Sequence, residues 1–401
     1  MREVFEDRTF RKLFFSNLFS GFGQGMTMIG VSWHLVETTG SAKLLGSTML
    51  VSSIFVFLIG PFIGTWIDRF SRKAILQLEQ AGGFTVLALM AMWGFGGAYQ
   101  GWMLMLIFLA TTFILQLHYP ALSAFVQETF DRKQYNQINS LLEVENQTAL
   151  VLAGACSGLL LEPVGLHVLL LLNALTYLIA FVMLLGIDYV FTVEKQAEKD
   201  VRTPWGESLR QGWLYLRERR GFMIFGVSAL VPFLTVTLVN LLNPVFVSQT
   251  LSEDVSIFSF GEVAYSVGAM AAGILFAWIS RIGGAFSSMV FYYLLMVLAF
   301  VLTVAVPKAW MFVLMSAFIG WCNVSTRLIR QNVYMEVLPN RFMGRVMSFF
   351  QSIGTLLRML LLSLFTVMID TTGVEGGYFV LAGLLLVAAL GIIVSMRHLS
   401  S

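Results

Sequence analysis

Gly64-Thr65-Trp66-Ile67-Asp68-Arg69-Phe70-Ser71-Arg72-Lys73 is a charged hairpin that lies between two long apolar runs. A looser copy, Trp278-Ile279-Ser280-Arg281, occurs half a chain later between apolar runs of the same kind. Internal repeats of this sort are typical of membrane proteins that consist of two similar helical bundles. The hairpin therefore predicts a duplicated, membrane-embedded fold.

The composition supports a membrane protein. Hydrophobic residues make up 57% of the 401 residues and charged residues only 12%, whereas a soluble domain carries roughly 25% charged residues. Too little polar material remains to cover a soluble fold of this length. The net charge of +2 gives no indication of nucleic-acid binding, and we expect no nucleic-acid partner.

Twelve apolar segments are long enough to cross a bilayer as helices, which takes about 20 residues each. They are expected at 13–36, 44–67, 74–96, 101–125, 140–161, 166–188, 222–248, 258–280, 286–306, 309–332, 345–368 and 377–396. The sequence thus predicts an all-α membrane protein with twelve transmembrane helices in two pseudo-symmetric six-helix bundles, at 1–188 and 222–401. The polar stretch 189–221 between them is predicted to be a cytoplasmic linker. Its part from Trp205 to Leu216 has the spacing of an amphipathic helix on the membrane surface; a plain solvated tether is the alternative.

The distribution of basic residues predicts the orientation. If the N-terminus is cytoplasmic, twenty of the 25 Lys and Arg residues lie on the cytoplasmic side. Only Lys43 and Lys308 lie outside, and Arg327, Arg330 and Arg358 fall within spans. Because cytoplasmic loops carry an excess of Lys and Arg, we expect a multi-pass protein of the cell membrane with both termini in the cytoplasm.

Three motifs connect the chain to a known family. The hairpin at 64–73 follows Gly-x-x-x-Asp-Arg-x-x-Arg-Lys and resembles the signature loop of the major facilitator superfamily, with Ser71 where that family usually has Gly. Asn139-Ser140-Leu141, Pro339-Asn340-x-x-x-Gly344-Arg345-Val346-Met347-Ser348 and the linker are most similar to its drug and siderophore exporters, which include macrolide-efflux and enterobactin exporters. The resemblance covers essentially the whole chain. It implies the major facilitator fold, a transported small molecule and no enzymatic activity.

The hairpin has a physical basis for gating. Gly60 and Gly64 lie one turn apart, so another helix could approach closely, and the resemblance implies that this neighbour is the eleventh helix. Asp68 facing the N-terminus of that helix would gain roughly 0.3–2 kcal/mol. The residues assigned to this gate are Gly60, Gly64, Asp68, Arg69, Arg72, Gly344 and Arg345. The alternative is that the basic residues serve only as topology anchors.

Polar side chains at mid-depth are candidates for contacting the substrate: Gln24, Gln116, Asn323 and Arg358. Buried amides need partners, and the resemblance implies that helices one, four, seven and ten line a central cavity; interhelical hydrogen bonds are the alternative. Arg358 lies roughly 20 Å into its span, and no acidic residue lies at a similar depth. Either the substrate or water supplies its counter-charge, or a distant Glu does.

Two further features of the spans carry expectations about the backbone and the basic residues. Pro120, Pro232 and Pro244 are expected to kink the fourth and seventh helices and to free backbone carbonyls. Arg327 and Arg330 lie nearer a membrane surface and are expected to reach it by snorkelling.

Ionisable residues inside a bilayer are costly and therefore functional candidates. Those that could carry a coupling proton are Glu79, Glu143, Glu145, Glu262 and His34. Glu143 and Glu145 lie on different helix faces, so at most one should face inward. The chain has no Gly-rich phosphate loop, and its four histidines lack metal-ligand spacing. We therefore expect no cofactor or metal, and a proton gradient as the energy source.

The resemblance and these residues predict a secondary-active exporter that moves a small organic molecule, such as a drug or siderophore, by alternating access as a proton antiporter. Its expected partners are the substrate and the lipid bilayer, and we expect a monomer. One alternative is an importer or uniporter of the same fold, which needs no in-membrane carboxylate. Another is a membrane scaffold or sensor that moves nothing and does not need the hairpin charges.

The gate can be tested with Asp68→Asn, which removes the charge with little change in side-chain size. We expect transport by the reconstituted protein to fall to a small fraction of the wild-type rate, while the amount inserted into the membrane stays near normal. A wild-type transport rate in Asp68→Asn would rule out the gate.

Overall fold

The protein is helical throughout the part that the structure describes. The structure is a computed structural model, and it describes residues 2–40, 42–189, 205–279 and 284–399. No strand occurs in these ranges, so the all-α prediction is confirmed. The helices are α1 Arg2–Glu6, α2 Arg8–Thr39, α3 Ala42–Arg69, α4 Arg72–Gly96, α5 Gly101–Thr129, α6 Tyr135–Leu185, α7 Trp205–Arg217, α8 Arg220–Ser228, α9 Val231–Val245, α10 Val255–Ile279, α11 Ala285–Ala305, α12 Ala309–Val337 and α13 Asn340–Leu399, with a 3₁₀ turn at Arg132–Gln134 and a π turn at Phe246–Thr250.

Ten of the described helical stretches are long and apolar enough to cross a membrane. They include both parts of α13 but count α6 once, although it contains two helices, and they do not include α2. The twelve predicted spans correspond to these helices when α6 is divided and α2 is added. α2 is long enough to cross a membrane, but its polar and small residues lower its mean hydropathy, so it is not among the ten.

The breaks within α6 and α13 have the same geometry. Gly165 has φ 80° and ψ 166°, and Gly373 has φ 75° and ψ 167°. Positive φ is readily available only to glycine. Each break separates the last two predicted spans of its half of the chain, so the matching dihedrals support the internal repeat that the hairpins indicated.

The described chain forms two compact units. Unit 1 contains Met1–Gly40, Thr48–Lys199 and Phe258–Val263, and unit 2 contains Ser41–Ser47, Asp200–Ile257 and Ala264–Ser401. In unit 1, α2 and α4 pack against α6, and α4 also packs against α5. In unit 2, α13 packs against α7, α8, α9 and α11. The predicted domain boundaries at 188, 189–221 and 222 stay a prediction.

Helix α7 lies where the sequence predicted a helix in the linker, and part of its apolar face packs against α13. The Tyr215 ring stacks on Phe342 of α13 with centroids 4.5 Å apart, and Trp213 lies 5.9 Å from Phe349. A Cβ on Gly212 would lie 2.7 Å from the Arg345 carbonyl oxygen. The absence of a side chain at Gly212 therefore lets α7 dock onto α13, and only part of its apolar face remains for headgroups.

The seventh predicted span is interrupted where Pro232 predicted a kink. α8 ends at Ser228 and α9 begins at Val231. The freed carbonyl oxygen of Ser228 accepts a hydrogen bond from the Tyr293 hydroxyl at 3.0 Å, and that of Ala229 accepts one from Arg330 Nη1 at 2.9 Å. Arg330 Nη1 thus binds a carbonyl oxygen freed at the helix break, and the predicted snorkelling of Arg330 stays a prediction.

The other two prolines have different effects. α9 gives way to the π turn Phe246–Thr250 directly after Pro244. α5 continues through Pro120 without interruption from Gly101 to Thr129. Pro120 therefore does not interrupt its helix, in contrast to the interruption between α8 and α9.

Helices α10 and α12 of unit 2 approach each other closely at two glycines. A Cβ on Gly268 would lie 1.9 Å from the Ala317 carbonyl oxygen, and one on Gly320 would lie 2.1 Å from that of Tyr265. Glycine at both positions lets the two backbones touch, which is how small residues promote packing inside membranes.

This contact predicts that an added methyl group lowers the stability of the protein at one glycine of α10 and not at another. Gly268→Ala should destabilise the purified protein by about 1–3 kcal/mol, because the backbone atoms it meets cannot move aside cheaply. Gly273→Ala on the same helix is the matched control, since its Cβ would meet no described atom within 4 Å; it should be neutral or gain up to ~1 kcal/mol from helix propensity. Equal thermal unfolding midpoints for the two variants in detergent would contradict the packing.

Candidate functional site

The most unusual polar contact in unit 1 joins α4 to α5. Glu79 is only 4% exposed, and its Oε1 lies 2.5 Å from Nδ1 of His118. The neighbouring Gln80 donates from Nε2 to the same oxygen at 3.4 Å. The other carboxyl oxygen, Oε2, is buried and has no hydrogen-bond partner among the described residues. That oxygen is therefore the atom at which a proton can be added or removed.

A second carboxyl group approaches His118 from α6. Glu145 is 5% exposed and interacts electrostatically with His118. It lies beside α2, where Oε1 is 3.8 Å from a Cβ built on Gly21. Glu143 is exposed, and Gln147 donates a hydrogen bond to it at 3.0 Å. The two glutamates lie on different faces, as their spacing predicts.

The charges of this cluster, Glu79, His118 and Glu145, do not balance when all three groups are ionised. Two carboxylates and one imidazolium leave one negative charge, and neither α5 nor α6 contains a Lys or Arg. The basic residues of α4, Arg72 and Lys73, lie about two turns from Glu79 at the start of that helix, where they contact Glu128 and carbonyl oxygens at the end of α6. An uncompensated charge away from water costs several kcal/mol. Binding one proton makes the cluster neutral, so the arrangement is suited to taking up and releasing a proton.

His118 is the functional candidate that sequence reasoning missed. The sequence shows it only as one of four histidines that lack metal-ligand spacing, whereas Glu79 and Glu145 are candidates from the sequence alone. A usable signal was present: Glu79 lies seventeen residues before the end of α4 at Gly96, and His118 lies seventeen residues after the start of α5 at Gly101. Consecutive helices joined by a short connection place such positions at equal depth.

The remaining proton-coupling candidates have other surroundings. His34 is half-buried, and its ring lies edge-on to Tyr99 with centroids 6.1 Å apart. Glu262 is half-buried on α10. Their roles stay predictions.

The basic residues of the first hairpin have partners inside unit 1. Arg72 Nη1 lies 3.0 Å from Glu128 Oε1 at the end of α5, and Glu128 also accepts a hydrogen bond from the Tyr189 hydroxyl. Burial and the nearby carboxylate raise the pKa of Tyr189, so its hydroxyl stays protonated and can donate. Arg72 thus ties the start of α4 to the ends of α5 and α6.

Two lysines hold the same end of α6. Lys73 Nζ donates to the carbonyl oxygens of Leu185 at 3.2 Å and Ile187 at 2.6 Å, and Lys12 donates to that of Gly186. Cations favourably satisfy the free carbonyls at a helix C-terminus. These lysines are therefore structural contacts as well as topology signals.

The predicted gate is only partly visible. A Cβ on Gly60 or Gly344 would meet no described atom within 4 Å, and the close approach predicted at Gly60 stays a prediction. Arg69 is exposed, and Arg345 lies 5.9 Å from the Phe342 ring. The side chain of Asp68, the surroundings of Gly64, and Ser280 and Arg281 of the second hairpin fall outside what is described. The gating roles stay a prediction.

Two of the predicted substrate contacts make interhelical hydrogen bonds. Gln24 donates to the Thr111 carbonyl oxygen at 3.4 Å, and Asn323 donates to the Tyr265 hydroxyl at 2.7 Å. These bonds correspond to the alternative that the sequence left open. Gln116 is half-buried on α5. Arg358 forms no ion pair with any residue described.

Comparison with known proteins identifies the family. Residues 13–246 match the sequence profile of the Major Facilitator Superfamily, which is more than half of the chain. The chain therefore belongs to the Major Facilitator Superfamily. It is a multi-span, non-enzymatic membrane transporter whose partners are a small-molecule substrate and the lipid bilayer.

Two relatives come from bacteria. Macrolide efflux protein A of Streptococcus pyogenes is 22% identical over 378 residues, which are 91% of this chain and 92% of the relative. A Na(+), Li(+), K(+)/H(+) antiporter of Planococcus maritimus is 23% identical over 252 residues, covering 58% of this chain and 56% of the relative. The predicted similarity to the efflux branch is thereby confirmed.

Solved structures confirm the major facilitator fold. The nucleoside transporter NupG superposes with a TM-score of 0.73 at 14% identity and covers 97% of this chain and 99% of its own. An inward-facing bacterial homologue of the iron transporter ferroportin superposes with a TM-score of 0.71 at 15% identity, covering 98% and 99%. At these identities the likeness concerns the fold alone.

The contact between Arg72 and Glu128 predicts that both residues stabilise unit 1, whether or not Arg72 also has a role in gating. Arg72→Gln and Glu128→Gln should each lower the thermal unfolding midpoint, and the double variant should show a coupling energy of about 0.5–3 kcal/mol. Arg69→Gln is the control, because an exposed arginine should change stability by less than about 0.5 kcal/mol. Additive effects of the two single substitutions would show that the pair contributes nothing to unit 1.

Proposed function

We propose that this protein is a proton-coupled exporter of a small organic molecule in the cell membrane, with both termini in the cytoplasm. In this proposal it works as a monomer by alternating access, and the Glu79–His118–Glu145 cluster carries the coupling proton. The observation that carries the proposal is the position of His118 between two buried carboxyl groups, with no Lys or Arg in α5 or α6.

The proton has a defined place in this mechanism. It binds at Glu79 Oε2, while Oε1 keeps its contact with His118 Nδ1. The loaded cluster is neutral and tolerates a low-dielectric surrounding, whereas the unloaded cluster carries a net negative charge and is stabilised by contact with water. Proton binding therefore shifts the population between conformations that expose the cluster to water and those that do not.

The names of the relatives support the direction and the exchange. One relative is named a macrolide efflux protein and the other a cation/H(+) antiporter. Both names agree with a carrier that moves its substrate against an opposing proton flow. The absence of a Gly-rich phosphate loop from the sequence favours a gradient over ATP as the energy source.

Everted membrane vesicles provide the test. A macrolide, a cationic dye and a catecholate siderophore, each labelled, should be screened for uphill uptake with an imposed proton gradient. We expect an uncoupler to abolish uphill uptake of the transported compound. Glu79→Gln, Glu145→Gln and His118→Gln should also abolish it, but should retain gradient-independent exchange of labelled for unlabelled compound, because the translocation path is intact.

Glu143→Gln is the matched control for Glu145→Gln, since it removes an exposed carboxylate two residues away. It should keep uphill uptake near the wild-type rate. Uphill uptake that resists the uncoupler and all three cluster substitutions would refute the proposal. Full downhill transport without any gradient response would instead identify a uniporter.

A further inference from the structure

Arg358 lies deep in the span Phe342–Ile369, ~4 Å from its midpoint at 1.5 Å per residue. Gly354 and Leu362, one turn before and after it, are both buried. Arg358 is thus on the helix face that packs into unit 2. At this depth the guanidinium cannot easily reach either headgroup layer.

The described residues of unit 2 provide no counter-charge for this arginine. Among the described residues, its buried Nε has no hydrogen-bond partner and no ion pair involves it. Arg330, by contrast, is satisfied by the Ala229 carbonyl oxygen. A charge inside the membrane region is expensive and is expected to have a partner. For Arg358, no described residue of unit 2 is such a partner, and a bound anion could take that role.

An aromatic ring stands beside the guanidinium. The Cζ atom of Arg358 lies 6.0 Å from the ring centroid of Phe233. Phe233 is 44% exposed, so part of its ring is not covered by described protein atoms. It also lies in the first turn of α9, directly after Pro232, where the helix N-terminus adds positive potential.

We propose that Arg358 and Phe233 form a recognition site for a planar aromatic anion, with a carboxylate held by the guanidinium and the ligand ring packed on Phe233. A guanidinium binds a carboxylate through two parallel hydrogen bonds, and aromatic rings pair at centroid separations of about 4.5–7 Å. That the bound anion is the exported molecule rests on the proposed function. The site itself requires only the geometry within unit 2.

Salicylate and salicylamide test whether the site requires a negatively charged ligand. Both have an aromatic ring and a hydroxyl, but salicylate carries a carboxylate where salicylamide carries a neutral amide. Calorimetry on the purified protein should show salicylate binding at least tenfold more tightly than salicylamide. Arg358→Gln should reduce this ratio to within twofold. Arg358→Lys should retain an intermediate ratio, since Lys lacks the planar fork. Phe233→Leu should weaken both ligands and preserve the ratio.

Arg330→Gln is the matched control, because it removes a positive charge from the same unit at a position that already has a partner. It should leave the salicylate preference unchanged. No salicylate binding at millimolar concentration, or a preference that survives Arg358→Gln, would overturn the proposal. If Arg358→Gln does not fold, the Lys and Phe233 variants decide the outcome through the same ratio.

This experiment is independent of energy coupling. Binding to the purified protein needs no gradient and no transport. Failure of the vesicle assay would leave the anion site standing, and failure of the salicylate test would leave proton-driven export standing.

Discussion

A charged carboxyl group inside a lipid-embedded helix bundle needs a counter-charge or a proton, and the contact between Glu79 and His118 is built around that constraint. An unpaired buried charge costs several kcal/mol, which is a large fraction of the stability of a whole domain. Packing alone cannot offset such a cost locally. The surrounding helices therefore hold His118 against one carboxyl oxygen and leave the other without a hydrogen-bond partner among the described residues. The stability of this part of the fold thus depends on how the charge of Glu79 is compensated.

The two units share a backbone plan but differ in their buried charges. The breaks at Gly165 and Gly373 have nearly the same dihedral angles, which reflects the common plan. Unit 1 places acidic groups and a histidine in its helices, and α5 and α6 have no Lys or Arg. Unit 2 instead carries arginines within its spans, one satisfied by a helix break and one, Arg358, without an ion pair in the described residues. The two units thus share a backbone feature but bury ionisable groups of opposite sign in the middle of their helices.

The sequence predicted features that depend on local composition. Apolar length predicted the helices, helical spacing predicted α7, and Pro232 predicted the break before Val231. It could not predict contacts that depend on which helix faces which. The hydrogen bond from Arg330 to Ala229 could not be predicted, because the carbonyl oxygen of Ala229 is free only when the helix is interrupted between α8 and α9. His118 was overlooked because its significance comes from Glu79 on another helix, and α7 docks onto α13 through a glycine that looked like any other linker residue.

In the proposed mechanism, the proton and the exported anion bind to different units, so they must be coupled through a shared conformational equilibrium. Linkage then requires that each ligand change the affinity of the other by the same factor. Coupling free energies between such sites are typically about 1–3 kcal/mol, and one pH unit across the membrane is worth about 1.4 kcal/mol per proton. The two quantities are of the same size. In this proposed mechanism, a protonation change at Glu79 is therefore large enough to bias the equilibrium that anion binding at Arg358 also biases.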